Sequence, residues 1–78
     1  MNIIHLSEKG RFVECWHNGK RIQSFPIGFA GTHEACNRAR IYLREWTGEE
    51  PKISMGLQVK LKALDTLLTK MAFGAEYR

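Results

Sequence analysis

No apolar run in the sequence approaches the roughly 20 residues a membrane-crossing helix needs. Met1 to Leu6 is too short, and lacks the basic start, to read as a secretory signal. No Asn-x-Ser/Thr glycosylation acceptor occurs, and the only cysteines are Cys15 and Cys36. Without a secretory context, two cysteines read as free thiols, so a cytoplasmic chain is expected. Asp65 is the single aspartate. No carboxylate pair, nucleophile with a nearby base, or phosphate-cradling glycine loop can be assembled, so neither an enzyme nor a cofactor is expected. The chain of 78 residues is read as one domain, 1–78. That size lies near the lower limit for a self-sufficient core and leaves little apolar surface to enclose a pocket.

What is present is ordinary for a globular domain: 44% hydrophobic and 26% charged residues. The net charge of +4 permits an anionic partner. Arg38, Arg40 and Arg44 cluster in one segment and Lys60, Lys62 and Lys70 in another, with Glu45, Glu49 and Glu50 between them. Such runs read first as solvated helix faces.

The most informative stretch is Arg11 to Phe25, centred on Asn18-Gly19. Asn-Gly favours a two-residue type I′ turn, because both central residues take positive φ. The turn predicts cross-strand pairs Trp16–Arg21, Cys15–Ile22, Glu14–Gln23, Val13–Ser24 and Phe12–Phe25. Alternation then puts Val13, Cys15 and Ile22 on one face, and Phe12, Glu14, Trp16, Arg21, Gln23 and Phe25 on the other. The first face reads as core, since burying Glu14, Arg21 and Gln23 together would demand a complete polar network. The second mixes aromatic and hydrogen-bonding groups, as a recognition surface does. Its competing reading is a core face, with Phe12, Trp16 and Phe25 packed under the helices.

Around the hairpin the expected fold class is α+β. A three-stranded antiparallel sheet (about 2–6, 11–17 and 20–27) packs on two helices (about 33–46 and 55–73). A four-residue loop at Ser7-Glu8-Lys9-Gly10 would pair Leu6 with Arg11 and Ile4 with Val13. Thr32 is the expected N-cap of the first helix and Gly48 its stop. Ala35, Ala39, Tyr42, Leu43 and Trp46 form its apolar stripe. Glu49 to Ile53 reads as a link. In the second helix Leu57, Leu61, Leu64, Leu68 and Met71 alternate in steps of four and three, about two heptads of an a/d seam. Packing against the first helix or the sheet explains the seam, and a homodimer through Leu57, Leu61, Leu64 and Leu68 is the alternative. Gly74 is the expected stop, and Asp65 pairs on paper with Lys62.

Cys15-x-His17 and His33-x-x-Cys36 could each chelate a metal. Topology separates them: His17 lies at the Asn-Gly end of the hairpin, and the helix starts at the other end, roughly 20 Å away along a seven-residue strand. No metal site is expected.

A three-stranded antiparallel sheet with a helix across its back resembles two DNA-binding families. They are the plant ethylene-response (APETALA-type) domains and the arm-binding domains of phage and transposon integrases. Arg11 to Trp16 and Gly19 to Ile22 look like their second and third strands, and Phe29-x-x-Thr32-x-Glu34 like the start of their helix. The first-named family sends alternating strand residues into the major groove, and Glu14, Trp16, Arg21 and Gln23 fall at matching positions. Ile3-Ile4-His5-Leu6 lacks the arginines of that family's first strand.

DNA binding through the sheet is therefore the expected function. Arg21 would face guanine and Gln23 adenine, with Lys20, Arg11 and Arg40 on phosphates and Arg44 beside Arg40. The alternative is a phage or mobile-element inhibitor or adaptor, anti-CRISPR-like in layout. It would dock a host protein through Phe12, Trp16, Arg21 and Phe25.

Overall fold

The computed structural model describes residues 1–76, and side chains through residue 67. Its elements are β1 (Asn2–Leu6), β2 (Phe12–His17), β3 (Lys20–Pro26), α1 (Gly31–Thr47), β4 (Lys52–Ile53) and α2 (Met55–Glu76). The sheet has four strands in the order β3-β2-β1-β4, three antiparallel as expected and the fourth parallel to β1.

Asn18 and Gly19 take φ of 50° and 80°, the positive values the type I′ turn requires. His17↔Lys20 and Trp16↔Arg21 pair as predicted, and then the register slips. Ile22 is the extra residue of a β-bulge, so Cys15 meets Gln23, Glu14 meets Ser24 and Val13 meets Phe25. The β1–β2 register also differs, with Leu6 opposite Val13 and Ile4 opposite Cys15. The cause is Ser7, whose Oγ accepts from the backbone N–H groups of Arg11 and Phe12 and so closes a longer loop. A two-residue shift leaves every side chain on its predicted face.

Ile4, Val13, Cys15, Ala35, Cys36, Ala39, Leu43 and Leu57 form the buried core, with Leu6, Phe25, Ile27, Tyr42, Ile53 and Leu61 packed around it. Both helices therefore sit on one face of the sheet. Thr32 does not cap α1. It is buried in the first turn, while Ala30 holds the cap position without a side-chain bond. Gly48 ends the helix in the left-handed region, its N–H bonding Arg44 O. Trp46 departs from the expected stripe. It is 70% exposed, its ring against Tyr42.

The expected link from Glu49 to Ile53 contains β4. Buried Asn2 explains it: its Nδ2 donates to Thr47 Oγ1 and Glu49 O, its Oδ1 meets His17 Nδ1, and the chain leaving α1 is drawn alongside β1. Ser54 N then donates to Ile4 O. The α2 backbone continues through Gly74, and Asp65 pairs with His33 Nε2 at 2.9 Å. Leu57 lies wholly inside the core and Leu61 packs on it, so the first half of the leucine seam belongs to the fold. Leu64 is half-buried, and the Leu68 and Met71 side chains lie outside the described residues.

Cys15 and Cys36 are buried and free. Burial, with a smaller contribution from Cys36, raises the Cys15 thiol from 9.0 to about 11. Burial also raises Cys36, against the opposing pull of Arg40. Ellman's reagent at neutral pH is expected to label neither thiol in the folded protein and both after denaturation. The folded state keeps the Cys15 proton where the unfolded chain loses it. This contribution to stability is full below pH 9 and is lost as the pH rises towards 11.

Candidate functional site

Since α1 and the first turns of α2 cover the Ile4/Val13/Cys15 face, the opposite face of the sheet has no layer over it among the described residues. By alternation that face presents Ile3 and His5 from β1, and Phe12, Glu14 and Trp16 from β2. From β3 it presents Arg21, Ile22 and Ser24. Phe12 and Ile22 are exposed, and a shallow groove runs past Lys9, Arg11, Phe12, Glu14, Arg21 and Ile22.

Glu14 is the centre of this face. One carboxylate oxygen accepts from Trp16 Nε1 at 3.1 Å, and the other from Arg21 Nη1 at 3.1 Å. The Trp16 ring is held in turn by His5, edge to face at 5.5 Å. Only 15% of the Glu14 side chain is exposed against 59% of Arg21, so the carboxylate is fixed and the guanidinium keeps donors free for a ligand. The residues responsible are in register: Trp16 pairs with Arg21 across β2–β3, and Ile3 and His5 lie across β1–β2 from Trp16 and Glu14.

Of the predicted contact residues, Phe12, Glu14, Trp16 and Arg21 are brought together. Lys20 is exposed beside the Asn-Gly turn. Gln23 is exposed on the edge strand and reaches the groove, but it pairs with Cys15 instead of Glu14, and its Oε1 accepts from Ser24 N at 3.0 Å. Phe25 is a correction. The bulge turns it to the core side, where its ring meets Tyr42 at 5.8 Å. Ile22 is the reverse correction, moved from the expected core to the open face. Arg40 and Arg44 lie on α1 in the other layer, both paired to Glu50 (3.3 and 3.7 Å), and do not join the sheet face.

Sequence reasoning missed His5, Ile3 and Ile22 on this face, and Phe29, which is fully exposed in the loop after Pro26. A register assigned through the bulge and β1 would have found the first three; nothing in the pattern marks Phe29. The side chains of the two cysteine–histidine pairs are committed elsewhere: His17 to Asn2, His33 to Asp65, and the Cys15 thiol near Ala39 O. Among the described residues no group of three or more metal-ligating side chains converges, and no helix is long and apolar enough to cross a membrane. Comparison with protein-family models, with curated proteins and with solved structures finds no match.

Proposed function

We propose that this chain is a non-enzymatic binding domain that acts in the cytoplasm and lays the open face of its sheet in a groove of DNA. The observation that carries the reading is that face itself: four strands with both helices on the far side, and Arg11, Lys9 and Arg21 around the groove. A two-layer domain with one uncovered sheet face can enter the major groove, which is wide enough for strands as well as for a helix. Arg21 is the candidate for guanine O6 and N7, steered by Glu14. Arg11, Lys9 and Lys20 are the candidates for phosphates. Arg40 and Arg44 are not part of this contact, because Glu50 holds them on the other layer. The resemblance to the ethylene-response and integrase arm-binding domains supports the same use of the sheet.

The test is duplex binding as a function of salt. Three or four phosphate contacts should give a slope of log K against log salt of roughly −3 to −4. A flat response, or no binding at low salt, would sink the DNA reading.

A protein partner is the second reading, favoured by one observation: the centre of the face is the Glu14 carboxylate, bordered by exposed Phe12 and Ile22. An ion pair with an exposed arginine, set beside apolar anchors, suits a docking surface. A stoichiometric protein that stays bound through nuclease treatment would select this reading over DNA.

A further inference from the structure

The bulge in β3 leaves two neighbouring residues on one face of the sheet. Arg21 pairs with Trp16 and Gln23 with Cys15, so Ile22 has no partner across the ladder and turns to the open face beside Arg21. Both line the same shallow groove, with Ile22 36% exposed and the Arg21 side chain 59% exposed. Packing does not account for an isoleucine there. Ile22 lies outside the core cluster and outside the ring of side chains packed on it, where Phe25 has taken its expected place.

The spacing bears directly on a DNA surface. Side chains on one face of a regular strand are two residues, or about 6.6 Å, apart. That is close to two base-pair steps of about 3.4 Å each, so a regular strand passes over every second pair. Adjacent Cα atoms are only about 3.8 Å apart, close to a single step, and a bulge lets both side chains point the same way. The two residues also differ in chemistry as neighbouring base pairs do. Arg21 uses Nη1 for Glu14 and keeps its other N–H groups for the O6 and N7 of a guanine. Ile22 has no hydrogen-bonding group, and the feature of the major groove it fits is the C5-methyl group of thymine.

We propose that Arg21 and Ile22 together select a two-base-pair step, a guanine with a thymine methyl on the next pair. This rests on the open face being a DNA surface and adds what that face selects. Lys9 and Arg11, which line the same groove, fix the register on phosphates. Arg21 takes the guanine, and Ile22 covers the methyl of its neighbour. Without Ile22 the guanine contact would accept any neighbour.

The test titrates the full chain, at low salt, with a duplex that has one G·C pair inside a run of T·A pairs, guanine and thymines on one strand. Uracil in place of thymine removes the methyl and keeps every hydrogen-bonding group. Uracil on the two pairs next to guanine is expected to weaken binding about fourfold, the value of one methyl group lost from apolar contact. Uracil two pairs away on each side should have no measurable effect. Ile22→Ala should abolish the difference between thymine and uracil next to guanine. Ile22→Val, which keeps a branched side chain, should preserve most of it. Circular dichroism and a thermal melt check that both variants are folded, as expected for a residue outside the core. Equal binding of the thymine and uracil duplexes by the unsubstituted chain, with a steep salt slope, overturns the proposal and leaves DNA binding standing. A thymine preference that persists in Ile22→Ala also overturns it, as does an equal loss from uracil at either distance. No binding to any duplex at low salt removes DNA binding itself, and the proposal with it.

Discussion

Trp16→Ala combined with Arg21→Ala is expected to weaken duplex binding by roughly 5- to 150-fold. An arginine on guanine contributes about 1–3 kcal/mol of discrimination, and Trp16 acts through it by holding the Glu14 carboxylate that positions Arg21. The structure also says what the variant does to the fold. Glu14 loses both donors it now has, Trp16 Nε1 and Arg21 Nη1, and its carboxylate is only 15% exposed. Leaving such a group unpaired costs about 1–3 kcal/mol, and the ring also leaves His5. A melting temperature lower by several degrees is therefore expected, without unfolding. Adding Glu14→Gln, which removes the charge, should recover part of the stability and none of the binding. That recovery separates a contact surface from a core: if the double variant is unfolded and Glu14→Gln does not help, the aromatic face is structural and the site assignment collapses. The measurements are a thermal melt and a titration with duplex at low salt for each variant.

The elements were legible wherever a local rule fixed them. Asn18-Gly19 has one good turn, Gly48 one good helix stop, and the alternation in β1 and β2 one face that can be buried. Where two packings satisfied the same pattern, the sequence could not choose. Ile22 and Phe25 are the case in point. Without a bulge Ile22 is inside and Phe25 outside, and with one they exchange, while polar and apolar residues still alternate. The folded chain takes the larger side chain inside, since a ring against Tyr42 buries more area than an isoleucine at an edge. That choice depends on Tyr42 of α1, 17 residues beyond Phe25, so no window around the hairpin contains it. The β4 strand was invisible for another reason. Two residues after a proline have no period, and only the bonds from Asn2 to Thr47 and Glu49 bring them to β1. Trp46 shows the limit of a helical stripe. It shares a side with Leu43, but α1 at that point holds on through Thr47 and Asn2, and the indole is left outside with Tyr42. The centre of the candidate site, Glu14 with Trp16 and Arg21, was readable because it lies on the turn side of the bulge or on the unshifted strand. Gln23 and Phe25, beyond the bulge, were not.

Leu57→Ala is expected to destabilise the chain by about 3 kcal/mol, within the 2–5 kcal/mol usual for emptying a buried leucine site. A chain of this length has about 4–12 kcal/mol in total, so one methylene cluster removes a large share. The melting temperature should fall by roughly 12–24 °C. The size of the effect follows from position: Leu57 is fully buried with Ile4 and Leu43, at the point where α2 leaves β4 and first meets the sheet. Val59→Ala, two residues on, removes a side chain that is 61% exposed and should cost no more than about 0.5 kcal/mol in dilute protein. The contrast decides between two uses of one helix. If the leucine seam joined two copies, Leu57→Ala would act on association, and its penalty would grow with protein concentration. Because Leu57 is spent on the core, its penalty is expected to be the same at every concentration. Melts of both variants across a hundredfold range of protein concentration measure the difference. A Leu57 effect that grows with protein concentration would place the leucine seam between two copies and not in the core.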